Sequence, residues 1–220
     1  MTLISRRVCL SGLACAVVAC GNVDAGQAAR EAAVRPNLYQ CEGCEGIFDA
    51  DLKSLNPNAR IGPTGEPGEP LLLTGTVYQS DGKTPASGVV IYGYQTNAKG
   101  LYANGTNASE WSSRHGRLRG WLKTGTDGSY TFETIKPAPY PNENLPAHIH
   151  FTVLEPGRRS YWIDDIVFDG ELGVTPEYRR AMVNQGGNGI VKLSRTAGGM
   201  LVARRDIVLE RHSASLENSK

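Results

Sequence analysis

The sequence predicts an all-β protein, an antiparallel β-sandwich with Greek-key-like connections and little helix. Three observations predict it. Short apolar runs alternate with period two in "LLLTGTVY", "GVVIYGYQT", "YTFETI" and "AHIHFTVL", as strands with one buried face do. Turn residues separate the runs, as in "SDGKTP" and "GTDGS", where Gly, Asp and Pro let the chain reverse. Only "TPEYRRAMVNQ" has helical character, with Thr175 as N-cap and Pro176 at the first helical position.

Taken in order, residues 1–20 read as an export signal. "MTLISRRVCLSGLACAVVACG" joins Arg6 and Arg7 to an apolar run too short to span a bilayer. "SRRVCL" has the twin-arginine form, and "VVAC" resembles the bacterial lipoprotein box. The expectation is a periplasmic or membrane-anchored protein with a possible lipid anchor at Cys20. Residues 21–70 carry little pattern, and "NPNARIGPTGEPGEP" is a Gly/Pro-rich connector suited to wrapping or linking. Of the five cysteines, Cys9 and Cys15 fall in the signal and Cys20 at its end, which leaves Cys41 and Cys44 of "CEGC". No second pair or nearby histidine completes a zinc set, so a small structural disulfide is expected.

Residues 71–211 hold the sandwich, with "RLRGWLK", "SYWIDDIVF", "GIVKLSR" and "MLVARRDIVL" adding further strands; residues 212–220 read as a flexible tail. A chain of 220 residues with 40% hydrophobic content can fill one core. A net charge of +1 without basic runs gives no reason to expect nucleic acid as a partner.

The chemistry concentrates in "PAHIHFTV". Side chains alternate along a strand, so His148 and His150 point the same way and can reach one metal ion. His-x-His also occurs in zinc, copper and manganese sites and as plain surface pairs. Upstream, Tyr140 is held between Pro139 and Pro141, and Tyr102 follows a strand in "NAKGLY". Each tyrosine alone would be an ordinary core or rim aromatic.

Jointly, "GTVYQSDGKTPASGVVIYGYQTNAKGLY", "TGTDGSYTFETIKPAPYP" and "LPAHIHFTV" resemble the intradiol ring-cleavage dioxygenases, the family of protocatechuate 3,4-dioxygenase and catechol 1,2-dioxygenase. The likeness runs from about Leu72 to Gly170. It implies a β-sandwich and ferric iron, Fe(III), held by Tyr102, Tyr140, His148 and His150. Hard ferric iron suits anionic phenolate oxygens, and a bound cation lets phenols ionise near neutral pH. The resemblance further implies catechols and O2 as substrates, with cleavage between the hydroxylated carbons to a cis,cis-muconate-type product. Tyr140 would leave the iron and act as base for a catechol proton. Tyr102 and His148 would be equatorial, and His150 would lie opposite Tyr140. No Gly-rich nucleotide loop is present, consistent with a reaction that needs no external reductant.

Three departures stand out. Leu145 occupies the position where the family usually has arginine, and it neither donates a hydrogen bond nor carries charge. A carboxylated ring is therefore a poorer guest, unless Arg114, Arg117, Arg119, Arg158 or Arg159 substitutes. Asp165 stands where glutamine is common; it is a candidate catalytic residue or a hydrogen-bonded strand-end carboxylate. The loop "YPNENLPAH" is shorter than usual, which predicts a more open cleft. His115 and His212 read as surface histidines, and Trp111, Trp121 and Trp162 as packing aromatics. Tyr92 and Tyr94 share a strand face that nothing in the sequence ties to the metal motif. The alternative is a non-catalytic transthyretin-like, carbohydrate-binding sandwich module. A superoxide-dismutase-type copper or zinc sandwich lacks the second histidine cluster it would need.

Overall fold

Eleven strands and very little helix make up the described residues, which in this computed structural model are residue 35, residues 37–104 and residues 109–212. The export-signal and lipoprotein readings, and all of the tail beyond residue 212, lie outside the described residues. The strands are β1 (Asn58–Arg60), β2 (Pro70–Tyr78), β3 (Val90–Gln95), β4 (Arg119–Lys123), β5 (Ser129–Ile135) and β6 (His148–Leu154). They continue as β7 (Tyr161–Phe168), β8 (Ile190–Val191), β9 (Leu193–Arg195), β10 (Leu201–Arg204) and β11 (Ile207–Val208). One sheet has the order β1-β5-β2-β10-β9, with β11 also on β2; the other runs β4-β3-β6-β7-β8.

The sandwich follows from the alternation. In β2, Leu71, Leu73 and Val77 are buried, and in β6 Ile149, Phe151 and Val153 are. They meet Phe132 of β5 and Ile91 of β3 in one core drawn from both sheets. Neither predicted turn joins two paired strands: "SDGKTP" closes only the isolated antiparallel bridge of Tyr78 to Pro85, and it and "GTDGS" each carry the chain from one sheet to the other. β2 and β5 are therefore neighbours although β3 and β4 come between them in sequence, the Greek-key-like connection expected. The antiparallel expectation holds for the central ladders, whereas β1 on β5, β10 and β11 on β2, and β8 on β7 pair in parallel. Those short strands are brought in by long connections, which a parallel partner requires.

The N-terminal segment does more than link. Ile47, from the 3-10 turn Cys44–Asp49, packs with Val90 and Tyr92 in a second, small apolar cluster. Val90 and Tyr92 alternate with Ile91 of the main core, so this cluster covers the outer face of the second sheet. Cys41 and Cys44 form the expected disulfide beside it. Trp121 donates its indole N–H to the Gly46 carbonyl at 3.1 Å, and a Cβ on Gly46 would lie 2.8 Å from the Tyr92 ring. The predicted helix is Pro176–Ala181, capped by Thr175 accepting from the Tyr178 N–H. A second short helix, Glu110–His115, is capped by Ser109; "SEWSSRH" carries no apolar period to announce it.

Candidate metal centre

The core fixes which way the histidines face. Ile149, Phe151 and Val153 are fully buried on the inner face of β6, each contributing roughly 1.5–3 kcal/mol by burial. A slip of one residue would expose all three and force two imidazoles into the core, so the register is strongly specified. His148 and His150 consequently stand on the outer face of the second sheet.

Tyr102 and Tyr140 arrive on two loops laced together. Asn97 organises the first, its side-chain oxygen accepting from the Lys99 and Leu101 N–H groups, the habit of an Asx turn. Thr96 donates its hydroxyl to the Ala138 carbonyl at 2.7 Å, and the Ala138 N–H bonds to the Asn97 carbonyl. Gly100 permits the closest approach: its φ is +76°, and a Cβ there would lie 2.0 Å from the Pro139 carbonyl oxygen. No L side chain fits that position unstrained.

The four side chains singled out in the sequence meet. The Tyr102 and Tyr140 hydroxyls are 2.7 Å apart. His150 Nε2 lies 2.9 Å from the Tyr102 oxygen, and His148 Nε2 lies 3.2 Å from the Tyr140 oxygen. The other ring nitrogens are engaged elsewhere. His148 donates its Nδ1–H to the Pro146 carbonyl at 2.8 Å, and His150 donates its own to Asp165 Oδ1 at 2.8 Å. In the neutral imidazole this places both lone pairs at Nε2, aimed at the phenol oxygens.

Donors about 2.0–2.1 Å from one ion, at angles between square and tetrahedral, stand about 2.8–3.4 Å apart. The observed 2.9 and 3.2 Å separations fall in that range, and the 2.7 Å between the two phenol oxygens lies just below it. Burial raises the phenol pKa values of Tyr102 and Tyr140 and lowers that of His148, where His150 adds to the effect. The protein alone thus holds the phenols un-ionised, and a cation among these donors would reverse that preference.

Asp165 reaches His150 through a β-bulge. Ile149 pairs with Ile166 and Phe151 with Ile163, so Asp164 and Asp165 together oppose His150. A bulge re-aims a side chain without breaking the strand. Burial works to raise the Asp165 carboxyl, and the neighbouring His150 overcomes it, leaving the net pKa below the ordinary value. Among the described residues His148, His150 and Asp165 also cluster as possible ligands, their ligating atoms within 4.8 Å. Two histidines and a carboxylate could hold ferrous iron. Asp165, however, occupies the Nδ1 edge of His150, away from the point where both Nε2 atoms and both phenols converge. Its placement is that of a carboxylate that orients the His150 ring from behind.

Several residues sit differently from their sequence reading. Tyr94 pairs in register with His150 and stacks on its ring at 4.5 Å. His115 is buried rather than superficial: it stacks on the other side of Tyr94 at 3.8 Å and bonds the Tyr92 hydroxyl at 2.8 Å. His212 likewise has a largely covered side chain, bonded to Tyr39 and Glu155. Arg114, Arg117 and Arg119 pair with Glu42, Glu66 and Asp49, so their charges are met away from the four-residue cluster. Arg205, unremarked in the sequence, is the largest fully buried side chain and donates Nη1 to the Asp164 carbonyl.

A family model for Dioxygenase matches residues 47–210. Over 125 residues the chain is 35% identical to catechol 1,2-dioxygenase 1 of Acinetobacter lwoffii, covering 50% of this chain and 36% of that protein. It is 32% identical to the protocatechuate 3,4-dioxygenase beta chain of Burkholderia cepacia, covering 49% of this chain and 48% of the other. The dioxygenase domain of a dioxygenase carbohydrate-binding protein fusion from Streptomyces sp. SirexAA-E superposes with TM-score 0.54 at 28% identity, covering 72% of this chain and 91% of that one. The match spans 36% and 58% of the lengths of two catechol 1,2-dioxygenases from A. lwoffii, under two thirds of each.

Proposed function

Since the chain belongs to the intradiol ring-cleavage dioxygenase family, we propose that it opens catechols with O2 between the two hydroxylated carbons, giving muconate-type diacids. Tyr102, Tyr140, His148 and His150 would hold the ferric ion. The observation that carries this reading is the run of four donor atoms at 2.9, 2.7 and 3.2 Å, with each histidine's remaining nitrogen bonded elsewhere. A bound ferric ion would supply Lewis acidity towards both catechol oxygens.

The chain's own residues do the rest. Tyr140 lies on the loop side of the cluster, touching both Tyr102 and His148; ionised by a bound cation, its oxygen would take a proton from an incoming catechol hydroxyl. The Pro146 carbonyl and Asp165 hold the two rings so that Nε2 faces the site. Tyr94, stacked between His150 and His115, fixes the plane of the His150 ring. The donor set also favours this reading over a sugar-binding sandwich module, which has no use for two phenols packed against two imidazoles. The Arg6–Arg7 pair and the apolar run after it support export, with Cys20 as a lipid attachment site.

Isotopic oxygen tests the activity. Iron-loaded protein given catechol under labelled O2 is expected to yield a ring-opened diacid carrying two labelled oxygens. An intact ring, or a product with one label, would contradict the proposal.

A further inference from the structure

Resting on that reading, we propose that His115 is a positioning residue for the metal centre, anchored by the disulfide loop Cys41–Cys44 and acting on His150 through the ring of Tyr94. The contacts run without a gap from loop to ligand. Three rings stack in order: His115 on Tyr94 at 3.8 Å with 7° between the planes, and Tyr94 on His150 at 4.5 Å and 22°. On the His150 ring the His148 ring stands edge-on at 4.6 Å. The bond from His150 Nδ1 to Asp165 fixes one edge of the imidazole, but a ring held at one edge can still swing. Tyr94 stops that swing only if Tyr94 is itself backed. A ligand keeps its aim to about 0.5 Å and 10–20° when packing locks its rotamer.

His115 supplies the backing because it is held in turn. It is 6% exposed, and its Nδ1 bonds the hydroxyl of the fully buried Tyr92 at 2.8 Å. Against its Nε2 lies Gly43, where a Cβ would stand 2.7 Å away. Gly43 also has a φ of +88°, so both the close approach and the backbone exclude an L side chain there. The disulfide closes the loop around Gly43, and Cys44 is buried. Two further contacts tie this segment to the short helix that ends in His115. Arg114 pairs with Glu42, and the Ser109 hydroxyl donates to Asp49 Oδ2 at 2.5 Å.

The end of that helix braces a second donor. Gly116 follows His115, and a Cβ on it would lie 3.0 Å from the backbone carbonyl carbon of Tyr102. The next residue, Arg117, donates its N–H to the Ala103 carbonyl at 2.6 Å. A displaced His115 would therefore disturb the loop that carries Tyr102 as well as the ring of His150.

The test uses three variants: His115→Ala, the disulfide-free Cys41→Ser with Cys44→Ser, and the two combined. Ferric iron affinity, read by competition with a chelator, is expected to fall about tenfold in each of the first two, the lower end for groups that orient a metal ligand. The combined variant should lose little more than either, because both act along one line of contacts. The visible band of the iron-loaded protein should shift in all three, which a role in folding alone would not cause. Urea midpoints identify the variants that are folded, and where one of the first two does not fold, the other decides by the same readings. Wild-type affinity with an unshifted band in either folded variant, or losses that add, overturns the inference and leaves the metal centre standing. Wild-type protein that binds iron without colour brings down the ferric–phenolate reading itself, and this inference with it.

Discussion

Asp165 accepts the Nδ1–H of His150 at 2.8 Å from the two-residue side of a β-bulge. The bond fixes the tautomer and adds negative charge behind the ring, both of which strengthen Nε2 as a ligand. Replacing Asp165 with alanine should weaken iron binding about 10–100-fold, read by competition with a chelator. Asp165→Asn keeps an acceptor but loses the charge, and should fall between. Unchanged affinity in the alanine variant would remove Asp165 from this role.

Tyr140 has two proposed duties, ligand and base. Tyr140→Phe keeps the ring and deletes the oxygen that touches both Tyr102 and His148. Loss of a positioned base lowers kcat by about 10²–10⁴-fold. Oxygen uptake with catechol measures it, and a loss below tenfold would rule out the base.

Gly100 joins the two tyrosine loops. A methyl group at Gly100 meets the Pro139 carbonyl, and the left-handed backbone costs an L residue about 1–2 kcal/mol before that clash. Gly100→Ala should lower the urea midpoint and also cut iron loading, because the loops carrying Tyr102 and Tyr140 must part. A variant as stable as wild type that loads iron normally would show the contact to be idle.

His115 gives a pH dependence. Burial, followed by the charge of nearby His150, pushes its pKa from 6.5 down to about 4. The folded state therefore binds the proton less well than the unfolded chain. The stability contributed is complete above about pH 6.5 and is lost as pH falls towards 4. At pH 5 the loss is about 2 kcal/mol. Carboxylates titrate in the same window, so the comparison is with His115→Gln. Denaturant melts at pH 7.5 and pH 5 should show the wild type losing about 2 kcal/mol more than the variant. Equal losses would mean His115 is not held neutral.

Much of the site could be read in the chain, for reasons specific to each residue. His148 and His150 share a face because strand geometry demands it, and the buried Ile149, Phe151 and Val153 decide which face. Tyr102 and Tyr140, 38 residues apart, gained meaning through family resemblance, since loop closure leaves no periodic trace. Tyr94 carries no such signal in the sequence, because its stacking on His150 depends on the register of β3 against β6. The bulge that turns Asp165 towards His150 is a two-against-one mismatch, visible only when both strands are aligned. His115 sits in a polar stretch, "SSRHGR", yet it ends a short helix and is covered by Tyr94 and the segment around Gly43.

The central claim is that two phenolate oxygens and two imidazole nitrogens hold one ferric ion. Visible absorption on anaerobic addition of ferric iron to purified protein tests it most directly. Two coordinating phenolates should give a burgundy phenolate-to-iron charge-transfer band, reaching full intensity at one iron per chain and shifted or abolished in Tyr102→Phe and in Tyr140→Phe. A protein that stays colourless with iron bound, or a band indifferent to both substitutions, would contradict it.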